Sequence, residues 1–109
     1  MHLGEIVALA AQRTPEKPAI IFRDQVTTYG ELDQRVNQVA NGLLALGVKQ
    51  GDRVGLYVHN LPLFIEAYYG ALRIGGTIVP MNPLYKPSEV AFILNDAGAK
   101  AIVTIGAFY

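Results

Sequence analysis

The chain is 109 residues long, with nine basic and nine acidic side chains and no formal net charge. It contains no Cys, which excludes a disulfide framework, a zinc knuckle and a thiol nucleophile, and no basic stripe interleaved with aromatics, which argues against a nucleic-acid partner. One domain of this length can bury a core, yet 51% hydrophobic against 17% charged residues implies apolar surface left for more polypeptide or a second copy to cover.

Leu3, Ile6, Val7 and Ala10 fall at i, i+3, i+4 and i+7, one face of a helix. Thr14-Pro15 ends that helix, because the residue before proline is pushed out of the α region. Glu5 and Arg13 interrupt the segment, so it is not expected to act as a secretory leader. Ala19–Phe22 reads as a strand, Arg23-Asp24-Gln25 as a turn, and Val26–Thr28 as the returning strand of a hairpin.

Thr28-Tyr29-Gly30-Glu31 has the spacing of a capping box, in which hydroxyl and carboxylate each accept from the other residue's backbone N–H. The helix behind it has the clearest stripe in the chain: Leu32, Val36, Val39, Ala40, Leu43 and Leu44. Gly47 stops it, and Val48 can fold back as the apolar contact of a C-cap. Arg53–Val58 is a strand of the buried kind. Asn60 suits the N-cap of the next helix and Pro62 its first turn. That helix runs to about Ile74 and is apolar nearly all round, so it should be covered on most sides. The stretch Leu61–Gly76 still carries Glu66 and Arg73 and falls short of the roughly 18 apolar residues of a membrane span. Gly75-Gly76 ends the helix, Thr77-Ile78-Val79 is a strand, and Pro80-Met81-Asn82-Pro83 turns the chain. Pro87 opens a last helix behind Lys86, a poor N-cap, with Val90, Ile93, Leu94 and Ala97 as its stripe and Gly98 as its stop. Ala101–Ile105 is the final strand.

From Tyr29 onward helices and strands alternate, which predicts an α/β fold: βαβ units on a mainly parallel sheet, plus an N-terminal helix and a β-hairpin lying at an edge or as a separate ribbon. No internal linker divides residues 1–109, so a single domain is expected. Strand order is open at this level. Ligands of such sheets bind outside the carboxyl ends of strands. Here those are His59-Asn60, Met81–Tyr85 and Gly106–Tyr109. His59 is the one imidazole so placed, but no carboxylate or serine is paired with it by any motif, and a plain loop histidine is the simpler reading. No phosphate-binding glycine loop is present. Gly75-Gly76 opens a strand rather than a helix, which favours a helix stop with tight packing over an anion nest. Tyr57, Tyr68 and Tyr69 read as core and interface aromatics. The nine acidic residues show no metal-ligand grouping.

Four segments together carry a family resemblance. Leu72-Arg73-Ile74-Gly75-Gly76-Thr77-Ile78-Val79-Pro80-Met81-Asn82-Pro83 resembles the second core motif of the adenylate-forming (AMP-binding) superfamily, and Thr28-Tyr29-Gly30-Glu31-Leu32 resembles the first. Gly47-Val48-Lys49-Gln50-Gly51-Asp52-Arg53-Val54 is similar to the family's turn into a strand, and Leu94–Lys100 to the helix end that follows. The resemblance implies the N-terminal part of the large domain of a fatty-acyl-CoA ligase. Such an enzyme activates a carboxylate with ATP, assisted by magnesium, and passes the acyl-adenylate to CoA. It also implies that the phosphate loop, the adenine and ribose motifs and the catalytic lysine lie beyond Tyr109. No catalytic, cofactor-binding or metal residue is therefore carried over. The chain alone is expected to be inactive, to bind none of ATP, Mg2+ or CoA, and to have the rest of the ligase as its partner. Gly75, Pro80 and Asn82 are read as structural. The expected location is the cytoplasm, with the whole enzyme peripheral to the membrane. Two rival readings are a stand-alone module that dimerises through its apolar faces and a small flavodoxin-like nucleotide binder.

Overall fold

Short-range signals set most of the element ends, and the computed structural model shows how each is satisfied over residues 3–58, 61–82 and 84–104, with Leu3 described by its backbone alone. A 3-10 turn, Leu3–Glu5, leads into α1, Ile6–Arg13, of which Val7 is buried while Ile6 is turned outward. Thr14 ends α1 as expected, its N–H donating to the Ala10 carbonyl. The hairpin is formed by β1, Pro18–Phe22, and β2, Gln25–Thr28, as a separate two-stranded antiparallel sheet. Gln25 pairs with Phe22, so the turn is shorter than the sequence suggests, and Arg23 takes the strain at φ 57°.

Helix α2, Tyr29–Ala45, starts on the expected capping box: the Glu31 N–H donates to Thr28 Oγ1 at 3.2 Å, and the Thr28 N–H to Glu31 Oε1 at 3.0 Å. These bonds to the ionised form hold the Glu31 carboxyl below its ordinary value, the backbone donor first and the hydroxyl second. A lowered carboxylate pKa contributes stability that is present above the unfolded value and lost as pH falls through the folded one. Glu31→Gln should accordingly be less stable than the native chain near neutral pH, with the gap closing below about pH 4. Thermal melts of both chains at pH 7 and about pH 3 test this; a gap independent of pH would sink it.

The second sheet has strands β3, Arg53–Tyr57; β4, Thr77–Pro80; and β5, Ala99–Thr104, all parallel in the order β4-β3-β5. β5 begins at Ala99, directly after the left-handed Gly98, two residues earlier than its apolar run suggests. Helix α3, Leu61–Arg73, connects β3 to β4, and α4, Pro87–Ala97, connects β4 to β5. Side chains alternate along β3. Val54 and Leu56 pack with Leu43, Val48, Ala67 and Ala71 on the α2–α3 side. Tyr57 packs on the other side with Met81 and Val90, joined by Ile93, Leu94 and Ile102. Helices therefore cover both faces. A third cluster, Val7, Ile20, Leu32 and Val36, ties α1 and the hairpin to α2.

The stripe of α2 is narrower than its sequence spacing implies. Leu32, Val36, Ala40 and Leu43 are buried, but Leu44 is 52% exposed, because the contact with α3 is made along one edge of the stripe. Helix α3 is likewise buried only at Ala67, Gly70 and Ala71, and most of its large apolar side chains are half-buried. The high apolar content thus sits partly on open faces.

Candidate functional site

The segment between α3 and β4 resolves into an architectural joint. The Gly75 N–H donates to the Leu72 carbonyl at 3.0 Å and the Gly76 N–H to the Ala71 carbonyl at 2.8 Å. This is the paired cap that a left-handed residue at the helix end makes possible, and Gly75 has φ +77°. A Cβ on Gly76 would stand 3.1 Å from the Ala71 carbonyl oxygen and 3.5 Å from that of Asp52. The Gly75 carbonyl accepts from Gly51, and the Thr77 N–H donates to Asp52, so the joint is stitched to the turn before β3. Its N–H groups are spent on the protein itself.

Arg73, the last residue of α3, bridges the helices. Its guanidinium donates to Asp33 Oδ1 and Asn37 Oδ1, both at 2.8 Å. Both ends of the ion pair are largely covered, so the two bonds should be worth more than the fraction of a kcal/mol of an open surface pair. Arg73→Ala is expected to cost about 1–2 kcal/mol and Arg73→Lys roughly half of that, since lysine keeps the charge but not the two-pronged reach. Urea unfolding of the two variants checks the ranking; equal losses would contradict it. Glu66 of α3 faces Arg35 of α2 at 3.6 Å. Burial raises its pKa, and the arginine only partly counters that.

At the carboxyl ends of the strands, His59, Asn60, Pro83 and residues 105–109 lie outside the described residues. What is described there is the turn after β4. Asn82 Oδ1 accepts from the Leu84 N–H at 2.9 Å, and the Asn82 carbonyl from the Tyr85 N–H at 3.0 Å. The Tyr57 hydroxyl donates to the Tyr85 carbonyl and holds the turn over the sheet. Met81 is buried against Gly55, where a Cβ would come within 2.9 Å of the methionine methyl and 2.6 Å of a Leu94 methyl. Glu89 accepts from the Lys86 N–H at 3.1 Å, while Lys86, having no acceptor, cannot return the bond.

The order β4-β3-β5 reverses direction between β3 and β5, the switch point where open parallel sheets take their ligands. A cavity of about 170 Å³ lies there under α4, lined by Tyr57, Val90, Leu94, Ile102 and Thr104 among others. The Thr104 hydroxyl is buried and has no partner among the described residues. Sequence reasoning missed this feature because nothing local marks which strand ends become neighbours. Among the described residues the lining is apolar, with two hydroxyl-bearing side chains and no cation or carboxylate, a set that does not suit a triphosphate or a magnesium ion. Among the described residues no group of three or more His, Asp or Glu could hold a metal. A larger cleft of about 510 Å³, lined by Gly4, Glu5, Gln50, Arg73 and Gly75 among others, lies at the amino ends of β3 and β4, the opposite end of the sheet.

A parallel sheet with helices on both faces and a switch point between β3 and β5 places the chain among the doubly wound α/β proteins. A sequence model of the family described as AMP-binding enzyme matches residues 7–108, and the chain belongs to that family. It is 41% identical over 107 residues to a long-chain-fatty-acid–CoA ligase of Escherichia coli, covering 97% of this chain and 19% of the ligase. It is 36% identical over 93 residues to a linear gramicidin synthase of Brevibacillus parabrevis, covering 85% of this chain and 1% of the synthase. The crystal structure of the N-terminal domain of FACL13 from Mycobacterium tuberculosis superposes with a TM-score of 0.87 at 33% identity, covering 95% of this chain and 27% of that one. The chain thus spans about a fifth of the ligase and a far smaller part of the synthase. The expected fold, the N-terminal part of an acyl-CoA synthetase large domain, is the one observed.

Proposed function

We propose that residues 1–109 are a single N-terminal subdomain of an acyl-CoA ligase that activates a fatty carboxylate with ATP and magnesium and transfers the acyl group from the adenylate to CoA. The observation that carries this reading is the match to a fatty-acid ligase over 97% of the chain. The match to the gramicidin synthase is shorter and less identical. The chain's own part is architectural: Gly75-Gly76 seats α3 against the sheet, and Asn82 shapes the turn at its carboxyl edge. Alone it is inactive, since no phosphate loop, adenine motif or catalytic lysine is present in its sequence. In the whole enzyme the remainder of the ligase is its partner and the cytoplasm its location, with the enzyme peripheral to the membrane. No described helix is long and apolar enough to cross one.

The test is a hybrid in which this chain replaces the matching 107 residues of the Escherichia coli ligase. The hybrid should form AMP only when given ATP, a fatty acid and CoA together, and the 109-residue chain none. ATP turnover by the chain alone, or a hybrid that is soluble but activates amino acids instead, would overturn the reading. A second reading, a self-associating module, is favoured by the exposure of Leu84 and Phe92, 88% and 70% respectively. Sedimentation of the chain decides it: a monomer at all concentrations removes the module.

A further inference from the structure

Beside α1 runs a groove with one apolar end and one cationic end. Ile6, Leu9, Ala10 and Arg13 line it from the helix. They fall at i, i+3, i+4 and i+7 and so form a single stripe about 10 Å long. Val7 is not among them, because it is buried on another side of α1 against the hairpin and α2. Lys17, just before β1, and Tyr29, the first residue of α2, line it as well. Their backbones are fixed: the Lys17 N–H donates to the Thr14 carbonyl at 3.1 Å and the Tyr29 N–H to the Lys17 carbonyl at 3.0 Å. The volume of about 380 Å³ falls in the range of small-molecule sites.

The charges stand together. Arg13 is the last residue of α1, and Lys17 is tied to the turn that follows it, while Ile6 begins the helix. Both cations are exposed, and no acidic residue lines the groove. Neither cation forms an ion pair among the described residues, where the ion pairs join α2 to α3. The main chain at the cationic end is already satisfied. The Ala10 carbonyl accepts from both the N–H and the hydroxyl of Thr14, at 2.8 and 3.3 Å. An occupant that satisfies this lining carries its polar group at one end, as an anion, and is apolar along the rest. An acidic peptide does not suit, since its backbone groups would find no partners beside Ile6 and Leu9.

We propose that this groove binds one fatty carboxylate, its carboxyl group held by Arg13 and Lys17 and its chain laid along Leu9 and Ile6. Two cations converging on one carboxylate supply charge-assisted hydrogen bonds, and the apolar stripe supplies burial for the tail. The site is a property of this chain's own residues and goes beyond the ligase reading, which assigns it none.

Decanoate, kept below its micelle concentration, is titrated calorimetrically into the 109-residue chain, and the amide NMR spectrum is followed alongside. One equivalent should bind, with shifts concentrated at Ile6, Leu9, Arg13, Lys17 and Tyr29. Arg13→Gln and Lys17→Gln should each weaken decanoate about tenfold, whereas Lys49→Gln, elsewhere on the surface, should leave it unchanged. Decanol, which has the chain without the charge, should bind more weakly than decanoate and lose less than about twofold in either groove variant. No binding, or shifts spread over Leu46, Leu84 and Phe92 instead, would overturn the proposal. So would anionic vesicles that bind through Arg13 and Lys17 where decanoate does not, which assigns the groove to a membrane surface. The ligase hybrid should bind one equivalent more than the same hybrid carrying both substitutions. Equal stoichiometry there means that the rest of the ligase covers the groove, and the proposal falls. Because binding rather than turnover is read, its failure leaves the ligase reading intact.

Discussion

Gly70→Val is expected to lower the stability of the chain by about 3 kcal/mol or more, and Gly70→Ala by about 1 kcal/mol. A Gly→Ala change inside a helix ordinarily gains about 0.5–1 kcal/mol. At Gly70 the sign should reverse. A Cβ there would stand 2.7 Å from Val39 Cγ1, 2.8 Å from Val39 Cβ and 3.3 Å from the Ala40 nitrogen. Val39 is β-branched and its Cβ is fixed to the backbone, so no rotamer removes the clash. Relief requires α2 and α3 to part, which also loosens the contacts of Leu43 with Ala67 and Ala71. Gly42, on the same helix α2, supplies the control, because a Cβ there meets nothing within 4 Å. Gly42→Ala should stabilise by about 0.5–1 kcal/mol. Urea unfolding midpoints at unchanged slope measure all three. Gly70→Ala and Gly42→Ala shifting the midpoint in the same direction would mean that α2 and α3 do not approach closely at Gly70.

Leu56→Ala should cost about 3 kcal/mol, a large part of the roughly 5–15 kcal/mol typical of a whole domain. Leu56 is wholly buried in the central strand, among Leu43, Val48, Val54, Ala67 and Ala71. Truncation leaves a cavity between a sheet and two helices that are pinned elsewhere, by Arg73 to Asp33 and by the glycine joint, so collapse around it is limited. Leu46 is the contrast. At 70% exposure, Leu46→Ala should stay within about 0.5 kcal/mol. The same unfolding series compares them, and a Leu56→Ala loss under about 1 kcal/mol would mean that the sheet side of this core is not packed as described.

Much of the fold could be read from the chain because its signals are short-range. The Thr28–Glu31 box, the left-handed stops at Gly47, Gly75 and Gly98, and Pro87 in the first turn of α4 all act within a few residues. Element order and the ends of α2, α3 and α4 followed from them, and the four family segments fall on these same joints. Errors arose where the deciding contact is distant. Leu43 and Leu44 are adjacent and equally apolar, and only the position of α3 buries one and exposes the other. Gly55 and Gly70 carry no turn or cap signal. Each is a point of close approach, to Leu94 and Met81 in one case and to Val39 in the other.

The sequence by itself determined the α/β alternation, the presence of a hairpin ahead of the helix–strand repeats, and the likeness to acyl-activating ligases. These rest on periodicity, caps and linear motifs, which are written along the chain. Tertiary structure alone decided the separation of the hairpin as its own sheet, the order β4-β3-β5, and the switch point beside Tyr57 and Thr104. Parallel strands of similar composition can pair in several orders with the same local pattern. Which order is adopted depends on which helix covers which face, and that is settled only when Leu56 and Tyr57, neighbours in sequence, are buried on opposite sides of one strand.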